Sequence, residues 1–307
     1  MNAFFEFKTL ADFTEYFCDE KTCRDHFAAL RFRNGEFCPH CNHKKIFKFN
    51  DGKRYRCAGC KQDFTIKNGT IFGDSKLPLR KWFIALYLLA TSGKGISSYQ
   101  LAKHVGVTQK TAWFVNHRIR QAMKQGNGQL FGRIEADETY IGGRARNMHA
   151  HKRKNVSTGG KDKTPVIGVM QRGGPVRAVV AKNLKSDTLI SNIANTVQKG
   201  SFVYTDEHRG YNGLHRLGYY HSNVRHTRNE FVVGDAHTNS IESFWALFKR
   251  GYHGIYHFMS PKHLQRYVDE YCFRFNRRES EMQTVFGETL GKMATGEHLT
   301  FRQLVES

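Results

Sequence analysis

Proline is scarce in this chain of 307 residues, with five in all, and acidic side chains are outnumbered by basic ones, 27 to 48. So few prolines, with 39% hydrophobic residues, exclude a low-complexity or disordered chain and suit a folded one. Long apolar runs are missing too. The best, Trp82 to Ala90, is nine residues, half of the roughly 18 that a membrane helix requires, and fits a core helix instead. The start, Met1-Asn-Ala-Phe-Phe-Glu6, lacks the charged and apolar regions of a secretory signal. The expectation is a cytoplasmic, nucleoid-associated protein with no membrane partner, long enough for two or three domains.

The shortage of acid is uneven. Residues 1–36 carry five basic against seven acidic side chains, residues 37–125 seventeen against three, and residues 142–164 seven against one. Such fields attract polyanions and speed their capture, which points to nucleic acid.

Four of the seven cysteines form Cys38-Pro-His-Cys41 and Cys57-Ala-Gly-Cys60, with fifteen residues between the pairs. That spacing is a zinc pattern. Between the pairs, Ile46–Phe49, a turn at Asn50-Asp51-Gly52 and Lys53–Arg56 read as a hairpin. Folding it brings both pairs together in a closed, structural tetrahedral site. His40 and His43 are spare alternatives, and disulfides are disfavoured in a reducing compartment. Cys18, Cys23 and Cys272 sit in helical apolar patterns and read as small core residues.

A helix is expected from Leu79 to Thr91. Next, Ser97 and Gln100 make a capping box, with Ile96 stapling to Leu101. After a turn at Val105-Gly106-Val107, Thr108 caps a second helix carrying Ala112, Val115, Ile119 and Ala122 at helical spacing. This pattern fits a helix-turn-helix, and equally an ordinary core hairpin. In the first case Gln109, Lys110 and Thr111 face the major groove and Arg118, Arg120 and Lys124 hold phosphates.

From Gln129 the texture becomes mixed α/β. Strands are expected near 131–141, 165–172, 175–182, 201–206 and 221–226. Helices are expected near 186–198, 208–217, 238–251 and 261–276. The 142–164 stretch is long, glycine-rich and basic, and its Lys152, Arg153 and Lys154 are candidates for DNA backbone contact. Asp137 and Asp206 fall on or at the end of strands, where a basic protein has little structural reason to place them. Glu135 and Glu138 compete with the first, and Glu207 with the second. On the helix near 238–251, Ile241, Phe244, Leu247 and Phe248 make the buried side, while Asn239, Glu242 and Lys249 share another stripe. Carboxylates gathered in a basic protein suit divalent metal held against a phosphate backbone.

Taken in order, these segments resemble the zinc-ribbon-bearing DDE transposases of bacterial insertion sequences. The resemblance rests on the two Cys-x-x-Cys pairs, Gly69-Thr-Ile-Phe72, Leu79-Arg-Lys-Trp82 and Asp137-Glu-Thr-Tyr-Ile-Gly-Gly143. It continues through Asp206-Glu-His-Arg-Gly-Tyr211, His237-Thr-Asn-Ser-Ile-Glu-Ser-Phe-Trp245, Lys249-Arg-Gly251 and Arg274-Phe-Asn-Arg-Arg278. It implies a multidomain α+β and α/β chain. N-terminal helices occupy 1–36, a zinc ribbon 37–75, a helical DNA-binding domain with a helix-turn-helix 76–126, an RNase H-like DDE catalytic domain 127–290, and a tail 291–307. It also implies DNA cleavage and strand transfer with two Mg²⁺ (or Mn²⁺) ions held by Asp137, Asp206 and Glu242. Asn239 is an alternative third ligand, and Lys249 or His237 could position the phosphate. One structural Zn²⁺, binding to double-stranded DNA at the element's ends and target, and a homodimer or higher assembly on paired ends complete the implication. A transposase-derived DNA-binding protein that has lost catalysis is the alternative.

Overall fold

The computed structural model describes residues 7–143, 163–224, 237–296 and 299–306. The chain divides into two compact units, one made of residues 1–123 and 279–307 and the other of residues 124–278.

The first unit is built around aromatic side chains. Helices α1 (Leu10–Tyr16) and α2 (Glu20–Arg31) are opened by Thr9 and Asp19, whose side chains accept from the third residue on. Phe13, Phe17, Phe27, Phe72, Trp82 and Phe83 are buried with edge-on or tilted rings. Helix α3 (Leu79–Thr91) begins at Pro78, which offers no capping side chain. Glu20 of α2 supplies the cap, its two carboxylate oxygens accepting from Leu79 N at 2.9 Å and Arg80 N at 3.0 Å. Helices α4 (Ser98–Val105) and α5 (Gln109–Ala122) follow. Ser97 Oγ accepts from Gln100 N at 3.1 Å, and Gly106 ends α4 at a φ of 64°, where a side chain would be strained.

The expected boundaries do not describe this unit. Helix α9 (Met282–Thr295), assigned from sequence mainly to the catalytic domain, places Phe286 against Phe13, Phe17 and Phe83. A short helix α10 (Phe301–Glu306) follows it in the same unit. The reason is burial: Val285, Phe286, Leu290 and Met293 make an apolar stripe that the N-terminal aromatics cover. Cys23 is buried as expected, whereas Cys18 is exposed.

The ribbon is a three-stranded antiparallel sheet of β1 (Ile46–Lys48), β2 (Arg54–Cys57) and β3 (Asp63–Thr65), in that order. The third strand was not expected from the hairpin pattern. It is there because Phe64 stacks on Tyr55 at 5.5 Å beneath the sheet. Arg31 of α2 donates to the carbonyls of Ile66 and Asn68 and so ties the ribbon's exit to the helices.

The second unit is a five-stranded mixed sheet of order β6-β5-β4-β7-β8. Strands β4 (Arg133–Ile141), β5 (Thr164–Gln171) and β6 (Val176–Val180) form an antiparallel meander. Strands β7 (Phe202–Thr205) and β8 (Tyr220–Asn223) extend it in parallel from β4. Helix α6 (Ser186–Thr196) covers one face with Leu189 and Ile193, while α7 (Asn239–Gly251) and α8 (Leu264–Asn276) cover the other. The expected helix at 208–217 is two 3-10 turns, Arg209–Tyr211 and Leu214–Leu217.

Among the described residues no strand lies beside the outer edge of β6, and side-chain amides occupy its backbone instead. Asn276 pairs with Val176, Gln125 with Ala178, and Gln265 accepts from Val180 N at 2.7 Å. Each amide offers a donor and an acceptor in strand-like geometry, so the edge is closed to further pairing.

Helix α7 approaches the sheet at Gly168, the β5 residue paired with Asp137. A Cβ there would lie 2.4 Å from Trp245 Cζ2 and 2.9 Å from Ile241 Cδ1. Gly168→Ala is therefore expected to push α7 off the sheet and destabilise the protein by about 1–3 kcal/mol, read as a lower denaturant midpoint. An unchanged midpoint would show that α7 does not need this contact.

Candidate active site and metal centre

Alternation along β4 decides where its acids go. Glu135 and Asp137 share the face covered by α7, and Glu138 turns to the face of α6. Glu135 is fully buried and wholly engaged. Its Oε2 accepts from Ser240 N at 2.9 Å and Ile241 N at 3.0 Å. Its Oε1 accepts from Arg172 Nε at 2.8 Å and Ser240 Oγ at 3.1 Å, with His237 Nδ1 at 3.2 Å. Thr238 makes no cap to α7, so a strand carboxylate takes that place and meets the positive end of the helix dipole. Arg172 also donates to His237 O at 2.9 Å and lies 4.3 Å over the Tyr204 ring.

Glu138 accepts from Tyr211 Oη at 2.9 Å, with His208 Nε2 3.7 Å away. Both of Asp137's sequence competitors are thus tied into the fold. Asp206 lies just past β7. Because Glu135 pairs with Tyr204 in the parallel β4–β7 ladder, Asp137 and Asp206, each two residues on, come level on adjacent strands. Asp206 Oδ1 accepts from His208 N at 3.0 Å, which sets its direction. Glu242, in the first turn of α7, accepts from Thr238 Oγ1 at 2.7 Å.

The acids sense one another. Burial pushes the Asp137 carboxyl up to about 7, and the charges of Glu138, Asp206 and Glu242 push it the same way. Burial, then the charge of Asp206, lifts Glu138 to about 7 as well, against the hydrogen bond from Tyr211. Asn239 and Lys249 are exposed on α7. Among the described residues, the three acids do not close to within 4.8 Å of one another as the ribbon thiols do. Like charges gathered without a counter-ion repel, and hard oxygen donors suit Mg²⁺ or Mn²⁺.

The ribbon thiols of Cys38, Cys41, Cys57 and Cys60 do converge, without His40 or His43. Cys38 and Cys60 sulfurs are 3.7 Å apart, and those of Cys41 and Cys57 3.5 Å. A tetrahedron with metal–sulfur bonds of about 2.3 Å has edges of about 3.8 Å, so the cage fits zinc. His40 N and Gly59 N each donate to the first sulfur of their pair, at 3.4 and 3.3 Å. Asn42 and Lys61, each following the second cysteine, adopt matching left-handed φ of 58° and 60°. Two equivalent turns thus present two thiols each.

The DNA-contact candidates separate sharply. Arg118 and Arg120 are 2% and 1% exposed. Arg118 donates to Leu299 O at 2.7 Å and Gly73 O at 3.0 Å. Their expected role on phosphates is therefore corrected: both belong to the interior, because α5 is buried continuously from Val115 to Arg120. Lys110 remains exposed, with Nζ 4.8 Å over the Phe301 ring, and Gln109 donates to Ser98 Oγ at 2.8 Å. Thr111 is half-buried in the same first turn, and its N–H is used by Thr108. Lys152, Arg153 and Lys154 lie outside the described residues. Sequence reasoning missed the role of Glu135 and its partners Arg172, His237 and Ser240. The only available signal was an acid at an otherwise apolar strand position.

Comparison with known proteins agrees with this architecture. Residues 129–276 match the model of the ISXO2-like transposase domain, and residues 18–63 match a transposase zinc-ribbon domain. The chain belongs to the ISXO2-like transposase family. It is similar to a Halobacterium salinarum protein named as an uncharacterized protein in transposable element ISH50. The two are 31% identical over 248 residues, which cover 76% of this chain and 83% of that protein. Among the described residues, no helix is long and apolar enough to cross a membrane.

Removing one side of a buried ionic network leaves the other charged and unpaired. Glu135→Ala is expected to cost about 3–5 kcal/mol of stability in denaturant unfolding, with Glu135→Gln less harmful. An alanine variant as stable as the parent would remove Glu135 as the anchor of α7.

The raised Asp137 pKa sets a pH dependence. Its folded value near 7 lies above the ordinary 3.8, so the native state holds the proton longer and its contribution to stability falls as pH rises between those values. A cation bound at Asp137 would have to displace that proton below pH 7. Affinity for Mn²⁺ is therefore expected to rise up to tenfold per pH unit from pH 5.5 to about 7 and then level off. Calorimetric titration of the zinc-loaded protein checks this, and Asp137→Asn should weaken binding and flatten the rise, leaving the smaller part that comes from Glu138.

Proposed function

We propose that this chain is an active transposase that binds the terminal repeats of its element and cuts and joins DNA by metal-dependent phosphoryl transfer. The observation that carries the reading is the level placement of Asp137 on β4 and Asp206 just past the end of the adjacent parallel strand β7, with Glu242 close enough for its charge to raise the Asp137 pKa. An antiparallel meander extended by two parallel strands supports the RNase H-like description of this unit.

In this mechanism Asp137, Asp206 and Glu242 hold two Mg²⁺ or Mn²⁺ ions. Bound metal supplies Lewis acidity at the scissile phosphate and lowers the pKa of the attacking hydroxyl. Glu135 fixes the start of α7 on β4 and so sets Glu242 relative to Asp137. Tyr211 restrains Glu138, and His208 N orients Asp206. Lys249 and Asn239, exposed on α7, face the DNA and steady its phosphate, and His237 stays with Glu135 in the helix anchor. In the first unit, Gln109, Lys110 and Thr111 at the start of α5 read the duplex as the second helix of a helix-turn-helix. The zinc ribbon is a rigid, metal-stapled module. Two ends cut together call for at least two protomers.

The test is cleavage and joining of DNA carrying the element's own ends, with Mg²⁺. Asp137→Ala, Asp206→Ala and Glu242→Ala should each lose roughly a thousandfold or more in rate, corresponding to several kcal/mol of lost metal stabilisation. End binding should persist. If Glu242→Ala keeps activity and Asn239→Ala loses it, the third ligand is Asn239. Tight end binding by the wild type with no cleavage would identify a DNA-binding protein that has lost catalysis.

A further inference from the structure

The outer face of the ribbon hairpin is aromatic and basic in alternation. Phe47 pairs with Arg56 across β1 and β2, and Phe49 N donates to Arg54 O one step further. All four side chains therefore stand on one face, opposite the one that carries Tyr55 and Cys57. Phe47 is 53% exposed, although an apolar ring gains nothing from water. Cations surround the rings: Lys45 Nζ is 5.7 Å from the Phe47 centroid, and Arg54 and Arg56 are 4.8 and 5.6 Å from that of Phe49. Phe47, Phe49, Arg54 and Arg56 line an open groove of about 380 Å³ together with Lys48, Asn50 and Asp51.

The guanidinium groups are held in place. Arg54 Nε is 2.8 Å from Asp51 Oδ2. Arg56 bonds Asp63 twice, at 2.7 and 3.3 Å. Their planes are thus fixed beside the rings, at the expense of part of their charge. Lys45 and Lys53 add exposed positive charge on the same hairpin.

We propose that this face binds an unpaired DNA strand, with Phe47 and Phe49 stacking on successive bases and Lys45, Lys53, Arg54 and Arg56 following the phosphates. Two aromatics at i and i+2 on a sheet face, flanked by fixed cations, make a stacking platform open to any base. Intact duplex fits less well. Its base faces are already covered by their neighbours, so the rings would meet only sugar and phosphate. The inference rests on the reading that this protein acts on DNA, and it adds a task for the ribbon: holding a strand separated near the cut.

The experiment is fluorescence anisotropy on the full-length, zinc-loaded protein. The probes are a mixed-sequence 12-nucleotide single strand and the same sequence as duplex. Phe47→Ala should weaken single-strand binding about five- to a hundredfold and leave duplex binding within twofold. Phe47→Trp should restore it. Lys53→Ala should weaken single-strand binding and lower the salt slope by about 0.7. Because Phe47 is half exposed, zinc content and thermal midpoint should not change, which separates the effect from unfolding. Unchanged single-strand affinity in Phe47→Ala, or an equal loss on duplex, overturns the proposal. Loss on the single strand in Phe47→Ala, together with a wild type that cuts no DNA, would uphold this face and reject the catalytic reading.

Discussion

A carboxylate with no access to water must be matched by donors on every lone pair, and Glu135 is matched by a guanidinium, a hydroxyl and two backbone amides, with an imidazole beside them. The rest of the second unit depends on that match. The strand that carries Asp137 is joined by it to the helix that carries Glu242, and Gly168 clears the space that lets the two meet. The site's own acids need not hold the fold together, and they raise one another's pKa.

The first unit uses the same device in milder form. Glu20 caps α3 from a neighbouring helix, and Arg31 reaches the carbonyls that follow the ribbon. In each case a charged side chain supplies what the local sequence lacks, Pro78 in one and the irregular backbone after Thr65 in the other. Among the described residues, basic side chains therefore fall into two populations. Arg31, Arg118, Arg120 and Arg172 are structural. The exposed cations of the ribbon face and the first turn of α5 give the surface its attraction for polyanions.

Much of this was legible beforehand. The Cys-x-x-Cys spacing carried the ribbon, because two thiol turns and a hairpin have few ways to converge. The helix 79–91 and the strands near 131–141, 165–172 and 175–182 followed from periodicity. Arg118 and Arg120 were misread because helical spacing distinguishes faces and not depth. A helix covered on all sides hides its cations as well as its leucines, and α9 provides part of that cover in this unit. The same limit concealed α9's allegiance, since its apolar stripe does not name its partner.

Sequence alone determined what local chemistry can specify: the zinc cage, most of the elements, the excess of positive charge, and the short set of acids from which a metal site could be drawn. Which acid does what was decided by tertiary structure. Glu135, Asp137 and Glu138 lie within four residues, and only strand pairing and helix docking send one to a helix cap, one to the shared face with Asp206, and one to Tyr211. Spacing fixes parity along a strand, but the environment on each face is made by residues far away in the chain, 37 positions for Arg172 and 106 for Ile241 around Glu135.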